Sequence, residues 1–325
     1  MSKGILNVYC CGGTGVNIGS VMESYRSQPT REGFADIVPY YIDTSLSNVK
    51  SGVNKEFVYH IEGLDGSGKV RAENHLTIAE CTPDMLHRFK PADINIVVGS
   101  ASGGSGSVIG PVLVSELLAR DENVIVALVG SYDSKIEMEN TVKTLKSYDA
   151  IAQKRGKPVA VMFFSNDKSS HAEVNMSVCT AVNQIAALFS RQNHGMDSAD
   201  LNNFLGYNRL TSASPRLTSM AITVDARESD HNIIAVATLA KDGQSTSVGQ
   251  IVDYQCVGYV PSTENLTLTA PVHYTLYEGM IDQLFRDIQK KLSSVEEDAR
   301  ARRRSASPIA SGGDLSGATD AGLVL

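Results

Sequence analysis

The stretch Ser100-Ala101-Ser102-Gly103-Gly104-Ser105-Gly106-Ser107 decides the fold class. An apolar run at 94–98 precedes it and predicts a buried strand, and the pattern of 108–118 predicts a helix. A glycine-rich turn between strand and helix lets the backbone approach a ligand closely, and the free amides of a helix N-terminus favour phosphate. The stretch therefore predicts a phosphate-binding loop, with a tight structural turn as the alternative.

Composition limits the classes of function. The chain has 325 residues, 42% hydrophobic and 20% charged, which is typical of a globular protein with one large or two ordinary domains. A net charge of −7 argues against a general nucleic-acid or membrane-surface role. There is no apolar run long enough to span a bilayer and no signal-peptide pattern, so we expect a cytosolic protein.

The cysteines and histidines do not predict a metal site. The five cysteines are odd in number and form no C-x-x-C pair, which predicts free thiols in a reducing compartment. The seven histidines are scattered without the spacing of metal ligands. We therefore expect no site built on histidine or cysteine.

A second strand, glycine loop and helix open the chain. Residues 4–10 predict a buried strand that leads into Gly12-Gly13-Thr14-Gly15-Val16-Asn17. The loop fits the dinucleotide pattern G-x-G-x-x-G poorly, and Asp43, the candidate ribose acid, is only loosely placed. Taken alone, this loop is a weak signal.

The segment 63–70 imitates a P-loop. It matches G-x-x-x-x-G-K but ends in Val70, where a P-loop needs the serine or threonine that holds magnesium, and no helix pattern follows directly. Two interpretations stay open: a loop that reaches phosphates through backbone amides and Lys69, or a plain surface loop.

The first half of the chain predicts a parallel sheet. Buried strands at 124–130 and 158–164 flank a polar helix at 137–155. Continuous apolar strands alternating with helices are typical of a parallel sheet covered on both faces. Ligands of such sheets bind beyond the carboxyl ends of the strands, where every glycine loop falls. The coincidence indicates a nucleotide site.

The second half has a different pattern. A long, largely apolar helix is predicted over 173–191, followed by Asp197 and Asp200, which are either a capping acid with a solvated neighbour or functional carboxylates. Further strands are predicted at 217–224, 233–239, 254–260 and 266–274, with room for a short helix near Gln250, and a helix at 277–301. A Ser-, Gly- and Ala-rich tail ends on apolar residues 321–325 and is either a docking peptide or an idle tail.

These motifs, in this order, resemble the tubulin/FtsZ superfamily. The central loop is similar to the signature G-G-G-T-G-[ST]-G, with Ser102 for the first glycine and Ser105 for threonine. The resemblance is closest to the phage-encoded tubulins, the PhuZ group, and covers nearly the whole chain. It implies an α/β fold: a Rossmann-type GTPase domain (1–172), a core helix (173–195), a smaller α+β activation domain (196–276), a terminal helix (277–304) and a tail (305–325).

The resemblance also implies ligands and site residues. GTP or GDP, with magnesium, would bind at the mouth of the first domain. The phosphate-binding residues would be Gly12, Gly13, Thr14, Gly15, Ser102, Gly103, Gly104, Ser105, Gly106 and Ser107. The side chains Asn17, Asn166 and Asn175 would face ribose or guanine, whose edge an amide can match with both donor and acceptor. The segment Ser131-Tyr132-Asp133 corresponds to the part of the family that contacts the ribose.

By the same resemblance, Asp197 and Asp200 would enter the nucleotide site of the next subunit and polarise the attacking water. Such a chain would form head-to-tail filaments in the cytoplasm of an infected bacterium and position viral DNA or capsids, with Asp320 and 323–325 gripping the neighbour. Two other functions stay open: a soluble NAD(P)-type enzyme of doubly wound fold, and a filament adaptor that binds nucleotide without hydrolysing it.

Overall fold

A computed structural model describes residues 3–25, 33–72, 74–224, 232–264 and 266–305. The strands are β1 (Ile5–Cys11), β2 (Asp36–Asp43), β3 (Val58–His60), β4 (Ile94–Ser100), β5 (Val124–Gly130), β6 (Val159–Ser165), β7 (Leu217–Thr223), β8 (Ile233–Lys241), β9 (Tyr254–Val260) and β10 (Val272–Tyr277). The helices are α1 (Gly12–Tyr25), α2 (His75–Arg88), α3 (Gly106–Ala119), α4 (Lys135–Arg155), α5 (His171–Leu188), α6 (Ser198–Leu205) and α7 (Met280–Ser305).

The strands form one sheet in the order β3-β2-β1-β4-β5-β6-β7-β10-β8-β9. All pairings from β3 to β7 are parallel, while β10 is antiparallel to β7 and β8. Every residue of β4 and β5 is buried, as continuous apolar strands predict for a sheet covered on both faces. The first six strands have the doubly wound order, which confirms the α/β fold expected from the sequence.

The second half differs from the sequence prediction in four places. Its strands do not form a separate sheet, because β7 pairs with β6 in parallel and extends the first sheet. No helix lies near Gln250 among the described residues, where two glycines with positive φ, Gly243 and Gly249, favour turns. The strand expected at 266–274 is β10 and begins at Val272. Helix α5 ends at Leu188 with Phe189 as its C-cap, and the positive φ of 60° at Arg191 keeps the helix from reaching residue 191.

Helix α5 lies in the core, as its apolar pattern predicts. Its buried residues share one hydrophobic cluster with α1, α6 and one face of the sheet. A capping box of Ser170 and Glu173 fixes its start. On the other face, α2, α3, α4 and α7 form a second cluster. The ends of β1, β4, β5 and β6 are thereby held between two helical layers.

Candidate nucleotide site

The crevice of the sheet lies between β1 and β4. Here the strand order reverses, and doubly wound sheets bind their ligands at such a point, beyond the carboxyl ends of the strands. Cys11 at the end of β1 lies opposite Gly99 of β4. Both predicted glycine loops follow these strands directly, so the structure brings them together.

The two glycine loops touch through their backbones. Gly12 has a φ of +68°, and a Cβ added to it would lie 2.6 Å from the backbone nitrogen of Gly106. A Cβ on Gly106 would lie 2.7 Å from the carbonyl oxygen of Cys11. Helices α1 and α3 therefore begin side by side, and the unpaired amides and positive dipole ends of both can meet one anion.

The other predicted phosphate-loop residues differ in what they contact. Gly15 packs against the strands, where a Cβ would lie 2.5 Å from the carbonyl oxygen of Val98. Ser102 is buried and its Oγ lies 3.0 Å from Ser100 Oγ. Ser107 Oγ donates to the carbonyl of Gly104 at 3.0 Å. These side chains shape the central loop, while Gly13, Thr14, Gly103 and Ser105 are only half-buried.

Residues 62–72, here called the cover loop, pack onto the central loop. Ser67 Oγ lies 3.1 Å from Ser105 Oγ, and a Cβ on Gly104 would lie 3.1 Å from Lys69 Cα. Asn140 Nδ2 donates to the carbonyls of both Lys69, at 2.9 Å, and Ser102, at 3.1 Å. The next helix after this segment begins only at His75, so the segment is not a P-loop.

Side chains of α3 and α4 fix the cover loop. Arg71 Nε donates to Ser107 Oγ at 3.1 Å, and its Nη2 donates to the Ser107 carbonyl at 3.0 Å. Lys69 Nζ pairs with Glu137 at 2.8 Å. The sequence suggested Lys69 for phosphate contact, and it lies at this edge on a backbone with a φ of +67°.

Asp43 is a carboxylate beside the crevice. It is only 4% exposed and accepts hydrogen bonds from Thr44 N at 2.7 Å and Asn48 Nδ2 at 3.2 Å. Burial raises its pKa, against the lowering effect of these hydrogen bonds. The Thr44 hydroxyl lies 2.6 Å from Ser105 Oγ. Asp43 thus lies beside the glycine loops.

The predicted base-binding asparagines lie at the same edge. Asn166 follows β6, and its buried Oδ1 has no hydrogen-bond partner, while its backbone amide donates to the Gly130 carbonyl. Asn175 is half-buried on the first part of α5, and Asn17 is exposed on α1. The two helices touch at Cys179, whose Sγ lies 3.9 Å from the Ile18 carbonyl. An unpaired buried amide oxygen costs free energy unless a ligand donor meets it.

The two acids lie at the opposite edge of the sheet. Asp197 is the N-cap of α6, and its Oδ1 accepts from Ala199 N at 2.8 Å and Asp200 N at 3.1 Å. Asp200 Oδ2 accepts from Asp197 N at 2.9 Å. Asp197 is therefore the capping acid that the sequence predicts, and Asp200 takes part in the same cap. Both acids also line an open cavity of about 900 Å³, together with Asp93 and Glu122 at the amino ends of β4 and β5.

Tyr254 positions Asp200 and is not evident from the sequence. Its hydroxyl donates to the Asp200 carbonyl at 3.1 Å and lies 3.5 Å from Oδ1. Burial, reinforced by Cys256 and Asp200, raises the pKa of Tyr254 to about 12, so the hydroxyl remains a donor at neutral pH. No motif surrounds Tyr254; only its place in β9, against α6, identifies it.

Neither a membrane-spanning helix nor a cluster of metal ligands is found among the described residues. No helix there has the length and apolar composition needed to cross a bilayer. Within the same ranges, no three or more histidine, cysteine, aspartate or glutamate side chains are grouped to hold a metal ion. The described cysteines are free thiols, as the sequence predicts.

The fold, with its paired glycine loops at the switch point, is similar to that of solved phage tubulin-like proteins. A TubZ protofilament from bacteriophage PhiKZ superposes with a TM-score of 0.82 at 26% identity, covering 98% of this chain and 99% of that one. The phage tubulin PhuZ, solved with GDP, superposes with a TM-score of 0.85 at 20% identity, with coverage of 98% and 99%.

The sequence is also similar to those of phage tubulin-like proteins. It is 28% identical to the one from Pseudomonas phage PhiPA3 over 300 residues, 91% of this chain and 92% of the relative. It is also 28% identical to the one from Pseudomonas phage phiKZ over 257 residues, 74% and 76% of the two chains. No family model matches the chain. The resemblance to phage-encoded tubulins inferred from the motifs is confirmed.

Proposed function

We propose that this chain is a tubulin-like GTPase that polymerises head to tail and hydrolyses GTP where two subunits meet. The observation that carries the proposal is the placement of two half-sites at opposite edges of one parallel sheet. The glycine loops lie beyond the carboxyl ends of β1 and β4, and Asp197 and Asp200 lie near the amino ends of β4 and β5.

This separation supports completion of the site by a second copy. A strand of seven residues spans roughly 23 Å, so the acids of one subunit are far from its own glycine loops. Stacking one subunit on the next would bring the acids of one to the loops of the other. Such a heterologous contact does not close, and repetition of it gives a filament. The similar structures include a protofilament and a filament, which supports self-association of this chain.

The chemistry assigned to each part follows from phosphoryl transfer. Positioning and electrostatic stabilisation dominate that reaction. The amides at the starts of α1 and α3 would hold the phosphates, and the cover loop would enclose the terminal one. Asp200 of the adjoining subunit, oriented by Tyr254, would polarise and orient the attacking water, with Asp197 holding the start of α6.

The crevice fits a guanine nucleotide with magnesium. Gly12 and Gly106 let the starts of α1 and α3 come together, and the unpaired Asn166 Oδ1 offers an acceptor for the guanine N–H groups. Magnesium is commonly held by one or two carboxylates together with ligand phosphates, and Asp43 with the Thr44 hydroxyl supplies hard oxygen ligands. When bound, magnesium would neutralise charge on the phosphates. GDP in the PhuZ structure supports the nucleotide class.

Replacing Asn166 with alanine tests the base contact. We expect the affinity for GDP to fall by at least about tenfold and the preference for GDP over ADP to narrow, because a hydrogen-bonded base edge is lost. The measurement is displacement of a fluorescent guanine nucleotide by GDP and by ADP. Asn208→Ala is the matched control, since its Oδ1 is also buried and unpaired but it lies beside Gly156, at the other edge. An unchanged GDP-to-ADP ratio in Asn166→Ala would exclude a base contact.

Replacing Tyr254 with phenylalanine tests the orientation of Asp200. The loss of one hydrogen bond is expected to lower GTP turnover by roughly two- to tenfold, without changing nucleotide affinity. Phosphate release and nucleotide titration separate the two effects. Tyr259→Phe, in the same strand, is the control. Wild-type turnover in Tyr254→Phe would show that the hydroxyl does not position Asp200.

The proposed partners of the filament are those that the resemblance to phage tubulins implies. The tail is proposed to dock on the neighbouring subunit, and phage capsid or nucleoid components are proposed as cargo in the host cytoplasm. Asp320 and 323–325, to which the sequence assigns the grip, lie outside the described residues. The glycine loops could bind phosphate in the same way in an adaptor that does not hydrolyse GTP. Hydrolysis is therefore measured separately from nucleotide binding.

Light scattering after addition of GTP, over a series of protein concentrations with phosphate release followed in parallel, tests the proposal. We expect both signals above one threshold concentration. Scattering without phosphate release would indicate the adaptor. Phosphate release with no threshold would indicate a conventional nucleotide enzyme.

A further inference from the structure

The long helix α7 is fastened to the nucleotide half of the molecule. Its Ile288 is fully buried in the cluster that contains α3 and α4. Glu296 pairs with Lys135 of α4 at 2.6 Å, and Lys146 Nζ of α4 lies 5.2 Å from the centre of the Phe285 ring. Helix α7 thus packs lengthwise against α4.

Lys291 of α7 contacts two of these loops at once. Its ammonium group forms an ion pair with Asp167, which follows β6, and lies 4.5 Å from the centre of the Tyr132 ring, which follows β5. Lys291 and Tyr132 are partly buried, while Asp167 is exposed, so the ion pair lies at the surface and the ring contact is partly shielded from water. The Lys291 side chain thus connects α7 with both loops, at the carboxyl ends of β5 and β6.

Both loops belong to the nucleoside side of the proposed site. Asp167 is covalently adjacent to Asn166, whose unpaired Oδ1 is the candidate guanine acceptor. Tyr132 is the central residue of 131–133, the candidate ribose segment, which a Ser131–Asp133 hydrogen bond of 3.0 Å shapes. No contact of Lys291 reaches the phosphate loops among the described residues.

We propose that Lys291 is a positioning residue for the nucleoside of the bound nucleotide and couples occupancy of that site to helix α7. This inference rests on the proposed guanine-nucleotide site. Lys291 holds the loops after β5 and β6 at a fixed separation, so a base and ribose find them already arranged. The coupling is reciprocal, so a nucleotide that orders these loops also lowers the mobility of α7, the helix that leads into the tail.

The test compares two ligands on full-length protein, below the concentration that scatters light. A fluorescent guanine nucleotide is displaced by GDP, which uses the nucleoside loops, and by inorganic tripolyphosphate, which uses only the phosphate loops. Lys291→Met is expected to lower the affinity for GDP by about five- to tenfold, because an ion pair and a cation–π contact are both lost. The affinity for tripolyphosphate should stay unchanged. Lys291→Arg, which keeps both contacts, is expected to bind GDP as the wild type does.

Lys290→Met is the matched control, since Lys290 is the exposed neighbour on the same helix. Hydrogen exchange gives a second readout: GDP should slow exchange in α7 of the wild type and not of Lys291→Met. GDP affinity of Lys291→Met within twofold of the wild type would overturn the inference, as would equal weakening of both ligands. A wild type that binds no guanine nucleotide would instead overturn the proposed function itself.

Discussion

Replacing Asp200 with asparagine is expected to lower GTP turnover per subunit at least about a hundredfold while filaments still form. The amide oxygen can still accept the hydrogen bond from Asp197 N, so the start of α6 is preserved. The charge that polarises water is lost, and removal of one well-placed electrostatic group typically costs a hundred- to a thousandfold in rate. Phosphate release and pelleting of polymer, measured on the same samples, separate the two effects.

Glu80→Gln, which neutralises an exposed acid on α2, is the control for a change of net charge. Wild-type turnover in Asp200→Asn would contradict a catalytic role for this carboxylate. Loss of polymer together with turnover would show that Asp200 acts in assembly, and that the drop in rate is secondary.

Replacing Gly12 with alanine is expected to weaken nucleotide binding by more than about a hundredfold. The added Cβ has two costs, a backbone φ of +68° and a contact of 2.6 Å with the nitrogen of Gly106. The first typically costs about 1–2 kcal/mol. The second forces the starts of α1 and α3 apart, and so separates the amides that would share the phosphates.

Gly156→Ala separates these two costs. Gly156 has a φ of +65°, almost the same backbone strain, but an added Cβ meets nothing within 4 Å. We expect both variants to melt at lower temperature than the wild type and only Gly12→Ala to lose nucleotide in a calorimetric titration. Equal nucleotide affinity in Gly12→Ala and the wild type would show that the glycine loops do not bind the nucleotide.

The fold of the first half could be predicted because its signals are local. Continuous apolar strands such as 94–98 and glycine turns at their ends determine a parallel sheet with little reference to the rest of the chain. The same applies to the N-cap at Asp197. The single ten-stranded sheet could not be predicted, because the β6–β7 pairing joins residues far apart in sequence that carry no register signal.

The candidate site divides in the same way. Glycines in a strand-to-helix turn have a spacing that can be recognised, and their convergence follows from sheet order. Tyr254, Asn140 and Lys291 have no motif, because each acts through a contact between distant elements. The sequence places Asp43 at the end of a strand, but it does not show that the carboxyl is buried. That burial, which raises its pKa, comes from the packing of the surrounding loops.

Mixing two inactive variants tests most directly whether one subunit completes the site of the next. Gly12→Ala keeps the acids but is expected to bind no nucleotide, and Asp200→Asn is expected to bind GTP but lacks the catalytic carboxylate. In a mixed filament, Asp200 of a Gly12→Ala subunit meets GTP on an Asp200→Asn subunit. We predict that phosphate release in the mixture rises well above the sum of the two separate samples. A mixture that gives only that sum, although both variants enter the same polymer, would contradict hydrolysis between subunits.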